Sequence, residues 1–221
     1  MKKVKSLVCL ILTAAMLLVL PACGGNGETS DSDSAGGASG ETYTWRIAHN
    51  NAEDSQWQLN LLELSDLVEE ASGGQLVIEL YPNSQLGDDT AMCEMIRNGN
   101  LDMMVTSGEV PGRWYSPANL MAMPYLFKDL DHLERCIYGE PGEIMANGLS
   151  EAGLGVFDYW LRANRQILSK EPIETLDDMQ GLKIRVPETD IWIKSMEALG
   201  ANPTPVAFSE SFTALQQGVV D

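Results

Sequence analysis

The chain has 221 residues, 32 of them acidic and 14 basic, and a formal net charge of −18. Such acidity excludes nucleic acid as a partner and argues against a basic membrane-binding surface, because both need clustered lysine and arginine. Any site for an anion must therefore be built locally, from individual cations set against the field of the whole molecule.

Residues 1–22 read as an export signal. Lys2, Lys3 and Lys5 form its basic region, and the apolar run Leu7–Val19 is too short and too near the N-terminus for a stable spanning helix. The run ends in Leu20-Pro21-Ala22-Cys23. A small residue before a cysteine at this point resembles the bacterial lipobox, which implies cleavage ahead of Cys23 and lipidation of its thiol and amine. An ordinary signal peptide that ends near a cysteine is the alternative. Loss of the three lysines takes the charge to about −21. Residues 23–41 form a tether: Gly24–Gly40 has no large apolar residue and cannot bury surface. A lipidated cysteine on a tether holds a mobile soluble head at a membrane face, on the cell surface or in the periplasm.

The body from about Glu41 is long enough for one large or two small α/β domains. Tyr43, Trp45 and Ile47 alternate along a strand over Thr42–Ala48. Asp54 or Ser55 caps a helix to about Ser72, whose apolar face carries Trp57, Leu61, Leu64, Val68 and Ala71. Leu76, Ile78 and Leu80 alternate in a second strand. Asp88 and Asp89 open a helix with Met92, Met95 and Ile96 that stops at Gly99, and Asp89 is read as its cap. A short strand follows over Leu101–Thr106. This β-α-β-α-β order predicts a parallel sheet flanked by helices, with ligands at the carboxyl ends of the strands, near Asn50, Asp89 and Ser107.

Ser107–Phe127 is an irregular, proline-rich loop region. Leu130–Leu149 reads as mostly helical, with breaks at Gly139 and Pro141-Gly142. Gly153–Ala163 is apolar and aromatic and reads as a buried strand, and Arg165–Ser169 begins another. Pro172–Gly181 is a turn with a short helix. Leu182–Val186 is a strand, a helix from about Thr189 carries Ile193, Met196 and Leu199, and Asn202-Pro-Thr-Pro205 leads to a strand-like Val206. Ser209 or Glu210 opens a last helix with Phe212 and Leu215. Val219-Val220-Asp221 reads as the start of a strand, so a longer parent chain is expected. The body divides into one α/β lobe over 42–163 and a second, incomplete one over 164–221.

Chemistry narrows the function. Cys93 and Cys136 are the cysteines left in the body; they form either one disulfide or two separate buried thiols. Neither they nor His49 and His132 have metal-ligand spacing, so no metal and no cofactor are expected. Met103-Met104 is strand interior, His49 a strand-end polar residue, and Trp57 and Trp192 lie on apolar helix faces. There is no nucleophile elbow, zinc-protease motif or phosphate loop, so an exported enzyme is not supported. What stands out is Arg185 in Gly181-Leu-Lys-Ile-Arg-Val-Pro187, with Arg165 upstream in Asn164-Arg165-Gln166-Ile167. A guanidinium between apolar strand residues either pairs with an internal acid, such as Asp89 or Glu210, or grips the carboxylate of a ligand with its fork.

Four segments carry a resemblance over Trp45–Asp221: Tyr81-Pro-Asn-Ser-Gln-Leu-Gly-Asp-Asp89; Pro172-Ile with Leu176-Asp-Asp-Met-Gln-Gly-Leu-Lys-Ile-Arg-Val-Pro187; Gly200-Ala-Asn-Pro-Thr-Pro205; and Phe208-Ser-Glu-Ser-Phe-Thr-Ala-Leu-Gln-Gln-Gly-Val-Val-Asp221. Together they resemble the DctP-like, dicarboxylate-binding family of solute-binding proteins of tripartite ATP-independent periplasmic (TRAP) transporters. The resemblance implies a two-lobed α/β clamshell, truncated here in its C-terminal part, that closes on a small organic acid and delivers it to the small and large integral membrane components of an ion-driven carrier. It makes Arg185 the principal carboxylate-binding arginine and Arg165 a second arginine on, or behind, the same carboxylate. It puts Asn50, Asp89, Ser107 and Phe208 at pocket positions. Sialic acid-binding members place an acid where this chain has Ser107. A sensor module that feeds a membrane histidine kinase would use the same pocket.

Overall fold

The alternation of Tyr43, Trp45 and Ile47 yields the first strand, β1 (Tyr43–His49), in a computed structural model that describes residues 41–221. The expected export signal, the lipid site at Cys23 and the tether up to Gly40 lie outside the described residues. β1 is central, with β2 (Leu76–Tyr81) on one side and β3 (Met103–Val105) on the other, both parallel to it. Parallel neighbours need crossovers. α1 (Gln56–Ala71) supplies the first and α2 (Asp89–Arg97) the second. Successive side chains of β1 point to opposite faces. Ile47 accordingly packs with Leu61 and Ile78 on one face, and Ala48 with Met92 and Leu101 on the other. Burying a side chain such as Leu61 stabilises the fold by about 2 kcal/mol.

Ser55 caps α1, its hydroxyl accepting from the Gln58 N–H. At α2 the cap is Asp88, whose Oδ1 accepts from the Ala91 N–H at 2.8 Å. The cap therefore sits one residue before the one read from the sequence, and Asp89, first residue of the helix, is left to turn its carboxylate toward the strand ends. Asp88→Ala should cost about 1 kcal/mol of folding free energy, read as a lower urea midpoint. An unchanged midpoint would show that the cap contributes nothing.

Two 3-10 turns, Val110–Arg113 and Ser116–Ala122, cover the loop region after β3. The expected helical stretch is two helices, α3 (Leu130–Ile137) and α4 (Glu140–Glu151), broken at Gly139 as anticipated, whereas Pro141-Gly142 falls in the first turn of α4, where proline is tolerated, and does not break it. Ala118 of the second turn packs with Met145 and Leu149 of α4. Cys93 and Cys136 are not joined. Cys93 is buried against Met104, and burial pushes its thiol up to about 12.

The strands expected over Gly153–Ala163 and from Arg165 do not form. Leu154 is buried, yet Phe157 is 79% and Leu168 91% exposed. Apolar composition suggested a strand, but a strand also needs a neighbouring backbone to satisfy its N–H and C=O groups. Neither described sheet takes this segment in.

The second sheet pairs β4 (Lys183–Val186) with β5 (Asn202–Pro205) in parallel, joined by α5 (Asp190–Ala198). Met179, Val186, Met196 and Ala201 form its core. β5 contains Pro203 and Pro205, which cannot donate. The Asn202 and Val206 N–H groups donate to the Leu182 and Val186 carbonyls flanking the ladder, so Pro203 and Pro205 fall on the edge side of the alternation. On the other side of β4, the Asp221 N–H donates to the Lys183 carbonyl at 2.8 Å. The expected strand start at Val219-Val220-Asp221 is thus alongside β4, though without a ladder of its own. A 3-10 turn (Phe208–Glu210) leads into α6 (Ser211–Gln216). Phe212, set at helical spacing from Phe208, is 76% exposed and is not core. Trp57 is not in the core of α1 either; its ring stacks on Trp160 at 5.4 Å.

Candidate cleft between the two sheets

A parallel sheet gathers strand ends and helix N-termini at one edge, and here the two sheets turn those edges toward one another. From the first sheet come Asn50, after β1, and Asp88 and Asp89 at the start of α2. From the second come Arg185, within β4, Glu188 after β4, and Phe208 after β5. The cleft between them is narrow, with a cavity volume of about 30 Å³.

The first-sheet wall is a hydrogen-bonded carboxylate. Asp89 Oδ1 accepts from the Thr106 hydroxyl and Oδ2 from the Asn50 side-chain amide, each at 2.6 Å. Burial pushes the Asp89 carboxyl above the ordinary range, and the two hydrogen bonds oppose that rise. Below it, His49 is fully buried: Nδ1 accepts the Asn51 N–H, so Nε2 donates to Gln58 Oε1 at 2.8 Å. The strand-end polar residue read from the sequence is therefore an interior strut that ties β1 to α1.

The opposite wall is cationic at one point. Arg185 Nε donates to the Val206 carbonyl at 2.8 Å, and the guanidinium lies 5.6 Å from the centre of the Phe208 ring. Among the described residues no carboxylate comes within 4.0 Å of it. Its two terminal nitrogens make no hydrogen bond to a described residue. Burial lowers the Arg185 pKa, the neighbouring Arg165 adds to that, and Asp89 and Glu188 work against it. The internal ion pair left open by the sequence, with Asp89 or Glu210, is not made.

Arg165 is in a different situation. One terminal nitrogen lies 3.9 Å from Glu109 Oε1, and its guanidinium stacks 4.3 Å from the centre of the Trp192 ring. Burial lowers its pKa and Glu109 opposes this. Ser107 does not line the cleft; its carbonyl accepts from the Val110 N–H and starts the first 3-10 turn. The structure therefore brings Asn50, Asp89, Arg185 and Phe208 together and leaves Arg165 and Ser107 to one side. Sequence reasoning passed over Glu109, a carboxylate only 4% exposed that accepts the Trp192 indole N–H at 2.7 Å. A half-buried tryptophan needs an acceptor, and that requirement was the available signal.

Residues 47–221 match the family model of DctP, bacterial extracellular solute-binding protein family 7. The chain belongs to that family. A solute-binding protein of Roseobacter denitrificans is 34% identical over 182 residues, which are 82% of this chain and 56% of that protein. The sialic acid-binding periplasmic protein of Vibrio cholerae is 36% identical over 72% of this chain and 50% of its own length. A crystal structure of a TRAP periplasmic solute-binding protein from Roseobacter denitrificans with bound L-galactonate superposes with a TM-score of 0.78 at 33% identity, covering 83% of this chain and 61% of that one. The chain thus spans about half the length of the curated relatives it matches. Its architecture is the two-lobed α/β fold of TRAP periplasmic binding proteins, and its family is one of solute-binding proteins, not enzymes.

Proposed function

We propose that this chain forms the capture site of an extracytoplasmic receptor that grips a small organic acid through Arg185 and hands it to the membrane components of a TRAP carrier. In this reading residues 42–163 and 164–221 supply the two lobes and a lipid on Cys23 keeps the receptor at the membrane. The observation that carries the reading is the Arg185 guanidinium: half-buried, facing the cleft, and without an ion-pair partner among the described residues. Desolvating a cation without a partner is costly, so a ligand carboxylate between the lobes would offset that cost and couple binding to closure. Nε is already held by the Val206 carbonyl, which orients the fork for two parallel bonds from its terminal nitrogens. With so little free space in the cleft, an acid enters when the lobes part.

The charge of the cleft narrows the class of acid. Around Arg185 stand Asp88 and Asp89 on the facing wall and Glu188 on its own wall, with the Asn50 amide bonded to Asp89. These groups accept hydrogen bonds from hydroxyls and repel a second carboxylate. At ~5 Å and an effective dielectric constant near 20, that repulsion is about 3 kcal/mol. A polyhydroxylated monocarboxylate, an aldonate or uronate, fits better than a short dicarboxylate. The L-galactonate held by the Roseobacter relative belongs to that class. Calorimetry with L-galactonate, succinate and uncharged galactose checks this. L-galactonate should bind, succinate at least about tenfold more weakly, and galactose not measurably. Succinate tighter than L-galactonate would contradict the assigned class. Failure of every acid to bind would remove the receptor reading.

A further inference from the structure

Three side chains meet outside the cleft and bridge its two sides. Glu109 stands at the start of the Val110–Arg113 turn, packed with the first sheet. Trp192 belongs to α5 of the second sheet and donates its indole N–H to Glu109 Oε1 at 2.7 Å. Arg165 comes from the segment between the sheets; its guanidinium stacks on Trp192 and approaches the same Glu109 oxygen to 3.9 Å. Neither Glu109 nor Trp192 lines the cleft. α5 also packs against the Ser116–Ala122 turn, so this is the place where the two sides touch.

A buried carboxylate is tolerated when it is paired and hydrogen-bonded. Glu109 meets that condition through a donor on the opposite lobe and a cation on the connecting segment. If the lobes part, the Trp192 bond breaks and Glu109 must be rehydrated. The same carboxylate offsets the charge of Arg165, which otherwise stands uncompensated beside Arg185 and disfavours that second guanidinium. Burying two neighbouring cations without an anion between or behind them is unfavourable, and Glu109 is the anion behind.

We propose that Glu109 and Trp192 form a latch across the lobes: they are positioning residues that hold the narrow-cleft arrangement and set how long a captured acid is retained, without touching it. The retention part rests on the receptor reading above; the latch itself does not. Nothing in the sequence motifs marks either residue, because the contact joins positions 83 residues apart.

The test uses the protein at the length its host makes, with spin labels on Glu63→Cys and Glu197→Cys, both exposed, and with Cys136→Ser so that the buried Cys93 is the one native thiol left among the described residues. Pulsed dipolar spectroscopy then reads the separation of α1 from α5. The parent protein should give a short population that L-galactonate enlarges. Glu109→Gln keeps shape and removes the charge, and Trp192→Phe keeps the ring and removes the donor. Both should shift the population to longer distances. With L-galactonate as probe, each should raise the dissociation rate about tenfold without lowering the association rate, as expected when a charge-assisted bond present in the closed form is lost. The double variant should cost less than the sum of the two single ones, because both act on the same contact. Arg185→Ala should keep the short population of the ligand-free protein and lose its response to L-galactonate. Unchanged distances in both latch variants would overturn the proposal even if L-galactonate binds. Longer distances in a protein that binds no acid would uphold the latch and discard the receptor reading instead.

Discussion

Arg185→Ala should abolish measurable binding of L-galactonate, a loss of at least about 3 kcal/mol or more than a hundredfold in affinity. The substitution removes the one cation among the described residues that lines the cleft and leaves Asp88, Asp89 and Glu188 to repel the anion. Arg185→Lys tests geometry against charge. The arginine divides its donors: Nε fixes the plane by bonding the Val206 carbonyl, and the terminal pair faces outward. A lysine ammonium cannot hold that carbonyl and a bidentate carboxylate together, so affinity should fall at least about tenfold although the charge is kept. Arg185→Lys with parental affinity would mean that a point charge suffices. Unchanged affinity in both variants would mean that the acid binds elsewhere.

Gly142→Ala should give the largest stability loss of any single methyl addition considered in the first lobe, about 3 kcal/mol. Gly142 is buried in the first turn of α4, and a Cβ there would run into the backbone carbonyl of Ile137, the last residue of α3. A flexible side chain could move aside; a carbonyl that belongs to the neighbouring helix end cannot without re-forming the α3–α4 turn. Gly155→Ala is the matched control, since a Cβ at that position meets nothing within 4 Å. Its effect should stay within about 0.5 kcal/mol. Urea unfolding of the two variants measures both. Equal midpoints would show that the α3–α4 turn is loose enough to absorb the methyl.

The first sheet was legible in the sequence because its signals are local: alternation in Tyr43–Ile47 and Leu76–Leu80, a helical stripe between them, and acids at the start of α2. The cap misassignment between Asp88 and Asp89 follows from the same locality, since either acid satisfies the pattern and backbone geometry decides between them. The expected strand at Gly153–Ala163 failed for the opposite reason. Val156, Phe157, Tyr159 and Trp160 have strand composition, but pairing depends on a neighbour that local sequence does not reveal. Trp57 went the same way: its spacing marked the core face of α1, and Trp160, a hundred residues on, drew it into a stack instead.

The candidate site was legible where strand ends and motif positions coincide, at Asn50, Asp89, Arg185 and Phe208. Arg165 was legible as a charge but not in its surroundings, because Glu109 and Trp192 reach it from other elements. The two arginines are therefore unequal. Arg165 is stacked and faces an acid, and Arg185 keeps its fork for the cleft. In the proposed reading that asymmetry leaves one end of the opened cleft for a carboxylate and the other for hydroxyls.

A crystal structure of the protein grown with L-galactonate tests this most directly. The carboxylate should lie within about 3 Å of both terminal nitrogens of Arg185, with sugar hydroxyls directed at Asp89 and Asn50. A carboxylate bound by any other group, with Arg185 turned from the cleft or paired to an acid of the protein, would contradict it.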